Sequence, residues 1–289
     1  MDLNNVFKHY LQHHSRMVKR STREDYCKRL TMLSKYCSMH CITTIEEIDF
    51  TQFLNWLYVD RGVAPRTYNN YRTWCCSFCK WLRQQHIITD DQLPDVPPLK
   101  EPPKVRQPLP TDILKQVRDY LYHRNKHFLL AVMMEYYCFI RPDELSNIRI
   151  GDIDAKAHAI YVRAEISKNG RAEMVGLNNA VLSLMRELHV LRSPKDWYLF
   201  SNRCRPGATK LHSRMFRDRW ARLRKRLNLP KEYQFYSLKD SGIRDLANSE
   251  GIVIARDQAR HSSIAVTNKY LQGRDRPVHA ETIHFKGAL

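Results

Sequence analysis

The sequence lacks a long hydrophobic run. Its most apolar stretch, Phe128 to Met134, is stopped by Glu135, whereas a membrane-spanning helix needs about 20 apolar residues. The first residues, Met1-Asp2-Leu3-Asn4-Asn5, have neither the basic start nor the apolar core of a signal peptide. No membrane partner is expected, and a cytoplasmic location is. Glycine is scarce, 9 in 289 residues, and no GxxxxGK(S/T) phosphate-binding loop occurs, which excludes the P-loop route to nucleotide chemistry. Internal repeats and low-complexity segments are absent as well. Acidic residues are outnumbered, 30 against 48 Lys plus Arg, leaving a net charge of +18. That imbalance favours a polyanion as partner, because Lys and Arg release counterions when they neutralise phosphates.

Cysteine is present, at eight residues, but without a disulfide or metal framework. Cys37/Cys41 and Cys76/Cys79 have spacings that could suit zinc. They lie inside helical patterns, where cysteine serves as a small apolar residue, so no metal and no cofactor is expected.

What the chain does have is length for two cores and helical periodicity at both ends. Ser21-Thr22-Arg23-Glu24 reads as a capping box, followed by Tyr26, Leu30, Leu33 and Cys37 on one helical face. Phe50, Phe53, Leu54 and Leu57 mark a shorter helix stopped near Gly62. Pro65 opens a long helix carrying Tyr68, Tyr71, Trp74, Phe78, Trp81 and Leu82 as a core stripe, with Arg66, Arg72 and Lys80 among its polar neighbours. Seven of the 13 prolines fall between Pro94 and Pro110. Proline fixes φ and removes a donor, so this stretch is neither helix nor central strand. The predicted organisation is a helical domain over residues 1–90, a linker over 91–110, and a second domain over 111–289.

In the second domain a helix starts at Thr111, a nearly all-apolar helix spans His127 to Ile140, and Pro142 opens another. From Ala159 the period changes to two: Ile160, Val162 and Ala164 alternate with polar residues, Asn169-Gly170 supplies a hairpin turn, and Met174 and Leu177 continue on the return strand. Helices then follow over Asn179–Leu191, Ser213–Leu227, Ser237–Ser249, and as a last pair around Val253–Leu271. The fold class is mainly α with a small β-sheet in the second domain.

Four segments in this domain carry chemistry. They read Phe139-Ile140-Arg141-Pro142-Asp143-Glu144-Leu145, then Lys168-Asn169-Gly170 in the hairpin, then Tyr236-Ser237-Leu238-Lys239-Asp240-Ser241, and last His261-Ser262-Ser263-Ile264, Thr267 and Tyr270. In this order they resemble the tyrosine recombinases, or phage-type integrases. That family has G-L-R-x-x-E-L, a hairpin lysine, H-x-L-R-H-T, and L-G-H-S-S-I-x-x-T-x-x-Y. The last segment is the most specific; each residue taken singly reads as an ordinary surface, turn or core residue. The resemblance covers the whole chain, since the family also has a helical N-terminal core-binding domain.

The resemblance implies site-specific cleavage and rejoining of double-stranded DNA through a phosphotyrosine. Tyr270 would attack, Arg141 would clamp the phosphate with Glu144 orienting it, Lys168 would protonate the leaving oxygen, and His261 would assist at the phosphate. Two positions depart from the pattern: Tyr236 stands where the family has histidine and Lys239 where it has arginine. Lysine keeps the charge but loses the bidentate fork; Lys239 would then meet a phosphate oxygen as a point charge. His189-Val190-Leu191-Arg192 also spells H-x-L-R, but too far before Tyr270 to belong to the set.

The helix near Arg214 carries Arg214, Arg217 and Arg222 among its seven basic residues, expected to contact phosphates without specifying sequence. By resemblance the chain would act as a homo-tetramer on two synapsed sites, with accessory DNA-bending proteins as possible further partners, in the nucleoid. The tail after Leu271 would pack on a neighbouring protomer. Two other readings share these residues: a recombinase-derived protein that binds DNA with weak or no cleavage, and a type IB topoisomerase-like enzyme that needs no synapsis.

Overall fold

A computed structural model describes residues 2–89, 92–102 and 107–271. The chain divides into two compact units, Met1–Pro103 and Lys104–Leu289. Among the described residues no helix is long and apolar enough to cross a membrane.

The first unit is built from α1 (Leu3–His14), α2 (Arg20–Met39), α3 (Phe50–Val59) and α4 (Pro65–Gln84). The helices start where polar side chains meet otherwise unpaired amides. Asp2 accepts from Asn5 N at 3.0 Å, and Asp49 accepts from Gln52 N at 3.0 Å. The box expected at Ser21 does not form. Helix α2 begins at Arg20 behind Lys19, with no side-chain cap, and Glu24 pairs instead with Arg20 Nε at 3.0 Å. The reason is register: Ser21 lies inside the first turn rather than ahead of it.

The α4 stripe is core. Tyr68, Trp74, Phe78, Trp81 and Leu82 are buried, and Trp74 stacks on Phe78 with ring centroids 5.3 Å apart. Part of the proline-rich stretch is strapped to the same helix. Asn69 donates to Leu99 O and accepts from Leu99 N, both at 2.8 Å, and Arg72 Nε donates to the carbonyl of Val96.

The second unit begins with Leu109 N donating to Ser241 Oγ at 2.7 Å. Helix α5 (Thr111–Arg124) precedes α6 (Lys126–Tyr137), whose start is capped by Asn125 accepting from Phe128 N. Phe128 to Val132, Met134 and Glu135 are all buried, so α6 is the central rod of the unit. It ends three residues before Ile140, because Phe139 turns left-handed at φ 54°. A short helix α7 (Pro142–Leu145) then leads to an antiparallel sheet of β1 (Ile153–Asp154), β2 (Ala159–Val162) and β3 (Glu173–Gly176), in that order. Ile160, Val162 and Val175 face the core.

Strand β1 was not foreseen, since two residues show no period. The β2–β3 connection is also longer than a two-residue hairpin turn. Ten residues, 163–172, separate the strands. Inside them Gly170 N closes a turn on Ser167 O at 3.2 Å, so Lys168 and Asn169, not Asn169 and Gly170, occupy its central positions.

Helices α8 (Asn179–Glu187), α9 (Arg214–Arg226), α10 (Ser237–Glu250), α11 (Ile252–Ala259) and α12 (Ile264–Leu271) complete the unit. Helix α10 lies directly on α6 at Gly242: a Cβ there would come within 1.8 Å of the Tyr136 carbonyl oxygen. This close approach brings the start of α10 beside the chain that leaves α6, which is where the chemistry-bearing residues sit. The fold is mainly α with a small β-sheet, as the sequence indicated.

Candidate active site

The site is organised by Pro142. A residue before proline is held out of the helical region, and Arg141 is extended at φ −69°, ψ 152° while Pro142 opens α7. Glu144, at the third helical position, folds back beneath it. Its carboxylate is 1% exposed and accepts four hydrogen bonds. Oε2 receives Arg141 N at 3.1 Å and Arg260 Nη2 at 2.5 Å. Oε1 receives Arg141 Nη1 at 2.9 Å and Lys168 N at 3.2 Å. Burial alone would raise this carboxyl, but the guanidiniums of Arg260 and Arg141 outweigh it and hold the pKa at about 2. Glu144 is therefore a fixed anion that gathers three separate segments.

Arg141 is the more accessible of the two arginines. Its side chain is 15% exposed against 2% for Arg260. Lys168 is exposed at its turn, tied to the site through its backbone.

Tyr270 lies on α12 and is 8% exposed. Its ring stacks on His261 with centroids 5.0 Å apart and planes at 27°. The His261 Nδ1 is 2.9 Å from the Thr267 hydroxyl, one helical step before Tyr270. Tyr236, at the start of α10, shares a side-chain hydrogen bond with Tyr270. Burial first, then the nearby Tyr270 and that bond, push the Tyr236 phenol well above its usual range. Each phenol can donate to or accept from the other, so the bond couples the two hydroxyls.

Lys239 lies within the same cluster as Arg141, Glu144 and Arg260. Its side chain has no exposed surface, and Nζ donates to Phe139 O at 2.6 Å. The left-handed turn at Phe139 aims that carbonyl inward. Burial, followed by the positive charges of Arg141 and Arg260, lowers the Lys239 pKa to about 7. The amine is thus bonded to the backbone at the turn that leaves α6.

Two residues of this cluster are not among the site residues expected from the sequence. Arg260 stands where the resembling motif has glycine, a departure visible from spacing alone. Glu135 is the one acid interrupting an apolar run; it is wholly buried, and burial pushes its carboxyl well above the usual range against the opposing charge of Lys239. Among the described residues no group of three His, Cys, Asp or Glu side chains is arranged to hold a metal ion.

The basic residues expected to grip phosphate are distributed differently. Arg66 and Lys80 are exposed on α4, whereas Arg72 is half-buried and engaged with Val96. On α9, Phe216, Trp220 and Leu223 point into the core, which leaves Arg214, Arg217 and Arg222 exposed on the outer face. Arg214 also lies 3.7 Å from Asp218. His189 and Arg192 fall at a 3₁₀ turn after α8, with His189 left-handed at φ 53°. The tail beyond Leu271 lies outside the described residues.

Comparisons with known proteins bear on this arrangement. Residues 111–276 match the model of the phage integrase family, and residues 3–89 match that of the phage integrase N-terminal SAM-like domain. No curated protein sequence matches the chain significantly. Among solved structures, a lambda integrase dimer bound to a COC′ core site is similar with TM-score 0.76 at 18% identity, over 96% of this chain and 79% of that one. A lambda integrase tetramer bound to a Holliday junction gives 0.77 at 18%, with the same coverage of each chain. The integrase of the Tn1549 transposon, in complex with a circular intermediate DNA, gives 0.73 at 15%, over 94% and 95%. Both halves of the chain are thus accounted for, and the protein belongs to the phage integrase family of tyrosine recombinases.

Proposed function

We propose that this chain cleaves and rejoins duplex DNA at specific sites, with Tyr270 as nucleophile. The observation that carries the reading is the convergence on Tyr270: its ring rests on His261, its hydroxyl shares a hydrogen bond with Tyr236, and the Arg141 guanidinium interacts with both phenols. The Tyr270 oxygen bonds to phosphorus, the P–O5′ bond breaks, and the strand is held as a 3′-phosphotyrosine. The leaving 5′-oxygen takes its proton from Lys168, whose turn Glu144 anchors. Arg141 neutralises the charge that grows on the non-bridging oxygens. Tyr236 shares its hydrogen bond with Tyr270 and, by donating as the attack proceeds, stabilises the phenolate while the Tyr270 proton passes to solvent water. His261 supports the ring and the phosphate. Reversing the steps with a different 5′-hydroxyl exchanges strands, and the bond energy stays in the phosphotyrosine. No metal and no cofactor enters this scheme.

Residues 1–90 would form the core-binding domain, 91–110 the linker, and 111–289 the catalytic domain with its tail. Arg66 and Lys80 on one unit, and Arg214, Arg217 and Arg222 on the other, supply exposed cations for the phosphate backbone; Arg72 contributes to the fold of the first unit. The lambda integrase tetramer on a Holliday junction supports a homo-tetramer on two sites, with the tail reaching a neighbour and accessory DNA-bending proteins as further partners. A nucleoid location follows from that substrate.

The test uses nicked suicide duplexes selected from a randomised pool by binding to Tyr270→Phe protein. Wild type forms a covalent protein–DNA adduct and Tyr270→Phe forms none, a loss of more than roughly 10⁴-fold. Binding without any adduct from wild type would show a DNA-binding relative instead. An adduct that relaxes supercoils from a monomer would show a topoisomerase.

A further inference from the structure

Arg260 is placed at a cost. It sits between α11 and α12 at φ 55°, ψ 47°, the left-handed region that disfavours residues with a Cβ. Its side chain is 2% exposed, and Nε and Nη1 have no hydrogen-bond partner in their buried setting. Unpaired buried donors are unfavourable as well. Glycine would remove both penalties. A strained, buried, under-bonded arginine calls for a role outside folding.

Its contacts show what that role is. Nη2 meets Glu144 Oε2 at 2.5 Å, and Nη1 lies 3.8 Å from Glu173 Oε2 on β3. Glu144 in turn holds Arg141 and the backbone of Lys168 through its other oxygen. The next residue after Arg260 is His261, which carries the ring of Tyr270. One guanidinium therefore connects the turn that bears the nucleophile to the carboxylate that aims the phosphate clamp. The titratable groups around Glu144 are Arg141 ahead of α7, Arg260 from the α11–α12 turn, Lys239 from α10, and Glu135 from α6.

We infer that Arg260 is a positioning residue for strand cleavage: by fixing one oxygen of Glu144, it sets the other oxygen to hold Arg141 and the Lys168 turn at the phosphate, in register with Tyr270. This rests on the proposed function, but part of it stands apart from cleavage. Without Arg260, Oε2 of Glu144 keeps only the Arg141 amide. The buried carboxylate is then under-compensated, gains affinity for a proton, and releases its grip on the Arg141 fork.

The experiment compares wild type, Arg260→Gly and Arg260→Lys. Glycine fits the left-handed backbone, so the protein keeps its fold. Arg260→Gly should bind selected duplexes within about 2-fold of wild type yet form adduct about 10- to 100-fold more slowly, the scale of a misplaced catalytic group. Arg260→Lys should recover part of that loss. The loss should not add to that of Glu144→Gln in the double variant, since one acts through the other. A wild-type cleavage rate in Arg260→Gly, full additivity, or a loss confined to DNA affinity would overturn the inference. Carboxyl NMR titration supplies a readout independent of cleavage. The Glu144 pKa should rise in Arg260→Gly and fall back in Arg260→Lys; an unmoved Glu144 overturns the inference even if no adduct ever forms. Absence of adduct from wild type, with the Glu144 shift present, would overturn the proposed function and leave the Arg260–Glu144 linkage standing.

Discussion

The two units solve different packing problems. The first is sealed by rings: Tyr10, Phe50, Phe53, Trp74, Phe78 and Trp81 fill its interior. The second is apolar around its sheet and α6 but charged at its centre. Among the described residues, every buried charged, serine or threonine side chain lies in this second unit, including Glu135, Glu144, Lys239 and Arg260. Apolar contacts are interchangeable in direction and tolerate repacking, whereas buried ions are stable only with their partners in place. One core is thus built to hold together, and the other to hold particular atoms in place.

That contrast can be broken by substitution, and the largest effect should come from Glu144. Glu144→Gln leaves Arg260 with only Glu173 at 3.8 Å as counter-charge and Arg141 without its carboxylate partner, and should lower unfolding stability by about 3–5 kcal/mol, measured by denaturant titration at pH 7. The sign with pH follows from its folded pKa of about 2 against an ordinary 4.5. The stabilisation is complete above pH 4.5 and is lost as pH falls towards 2, so the gap between wild type and variant should close over that window. A gap that persists at pH 2 would mean that shape, not charge, holds the carboxyl.

Substitution of Lys239 should change stability in the opposite direction to Glu144→Gln, although stability rises with pH through both groups. Its folded pKa is about 7 against 10.5. Below pH 7 both states are charged and the burial cost is present in full. Between 7 and 10.5 the folded chain gives up its proton first, so stability rises with pH. Lys239→Met should therefore stabilise the second unit at pH 6, by about 1–4 kcal/mol, and by less at pH 9, as read from paired thermal scans. Destabilisation at pH 6 would show that the bond to Phe139 outweighs the cost of burying the charge.

Phe78→Leu in the first unit should cost about 1 kcal/mol at any pH between 5 and 9, a flat profile that marks an uncharged core. The smallest effect on stability, near zero, is expected for Arg217→Ala on the outer face of α9. It should weaken DNA binding for all sequences alike and lower the salt slope by about 1; sequence-dependent weakening would make Arg217 a base reader.

The same contrast explains what could be read from the sequence. The α4 stripe is legible because burial repeats with the helical period, and Tyr68, Trp74, Phe78, Trp81 and Leu82 are inside as that period requires. The convergence of Arg141, Tyr236, His261 and Tyr270 follows the order of the motifs. What fails is whatever depends on long-range direction. Nothing local in the motif says that Lys239 is fully buried, because the carbonyl it meets is offered by the turn at Phe139. Arg260 is visible as a departure, but nothing local says that it reaches a carboxylate 116 residues away. Ser21 fails by two residues of register and the Asn169-Gly170 turn by one, the commonest error where signals are short.

Glu144 also has a kinetic consequence. Its partners lie 3, 24 and 116 residues along the chain, and long loops must close before such contacts reward the chain. The carboxylate clasp should therefore close after the transition state for folding, with Glu144 and Arg260 showing φ-values near zero. Changes there would quicken unfolding while leaving the folding rate almost untouched, so the nucleophile and its clamp would be the last part of the molecule to mature and the first to come undone.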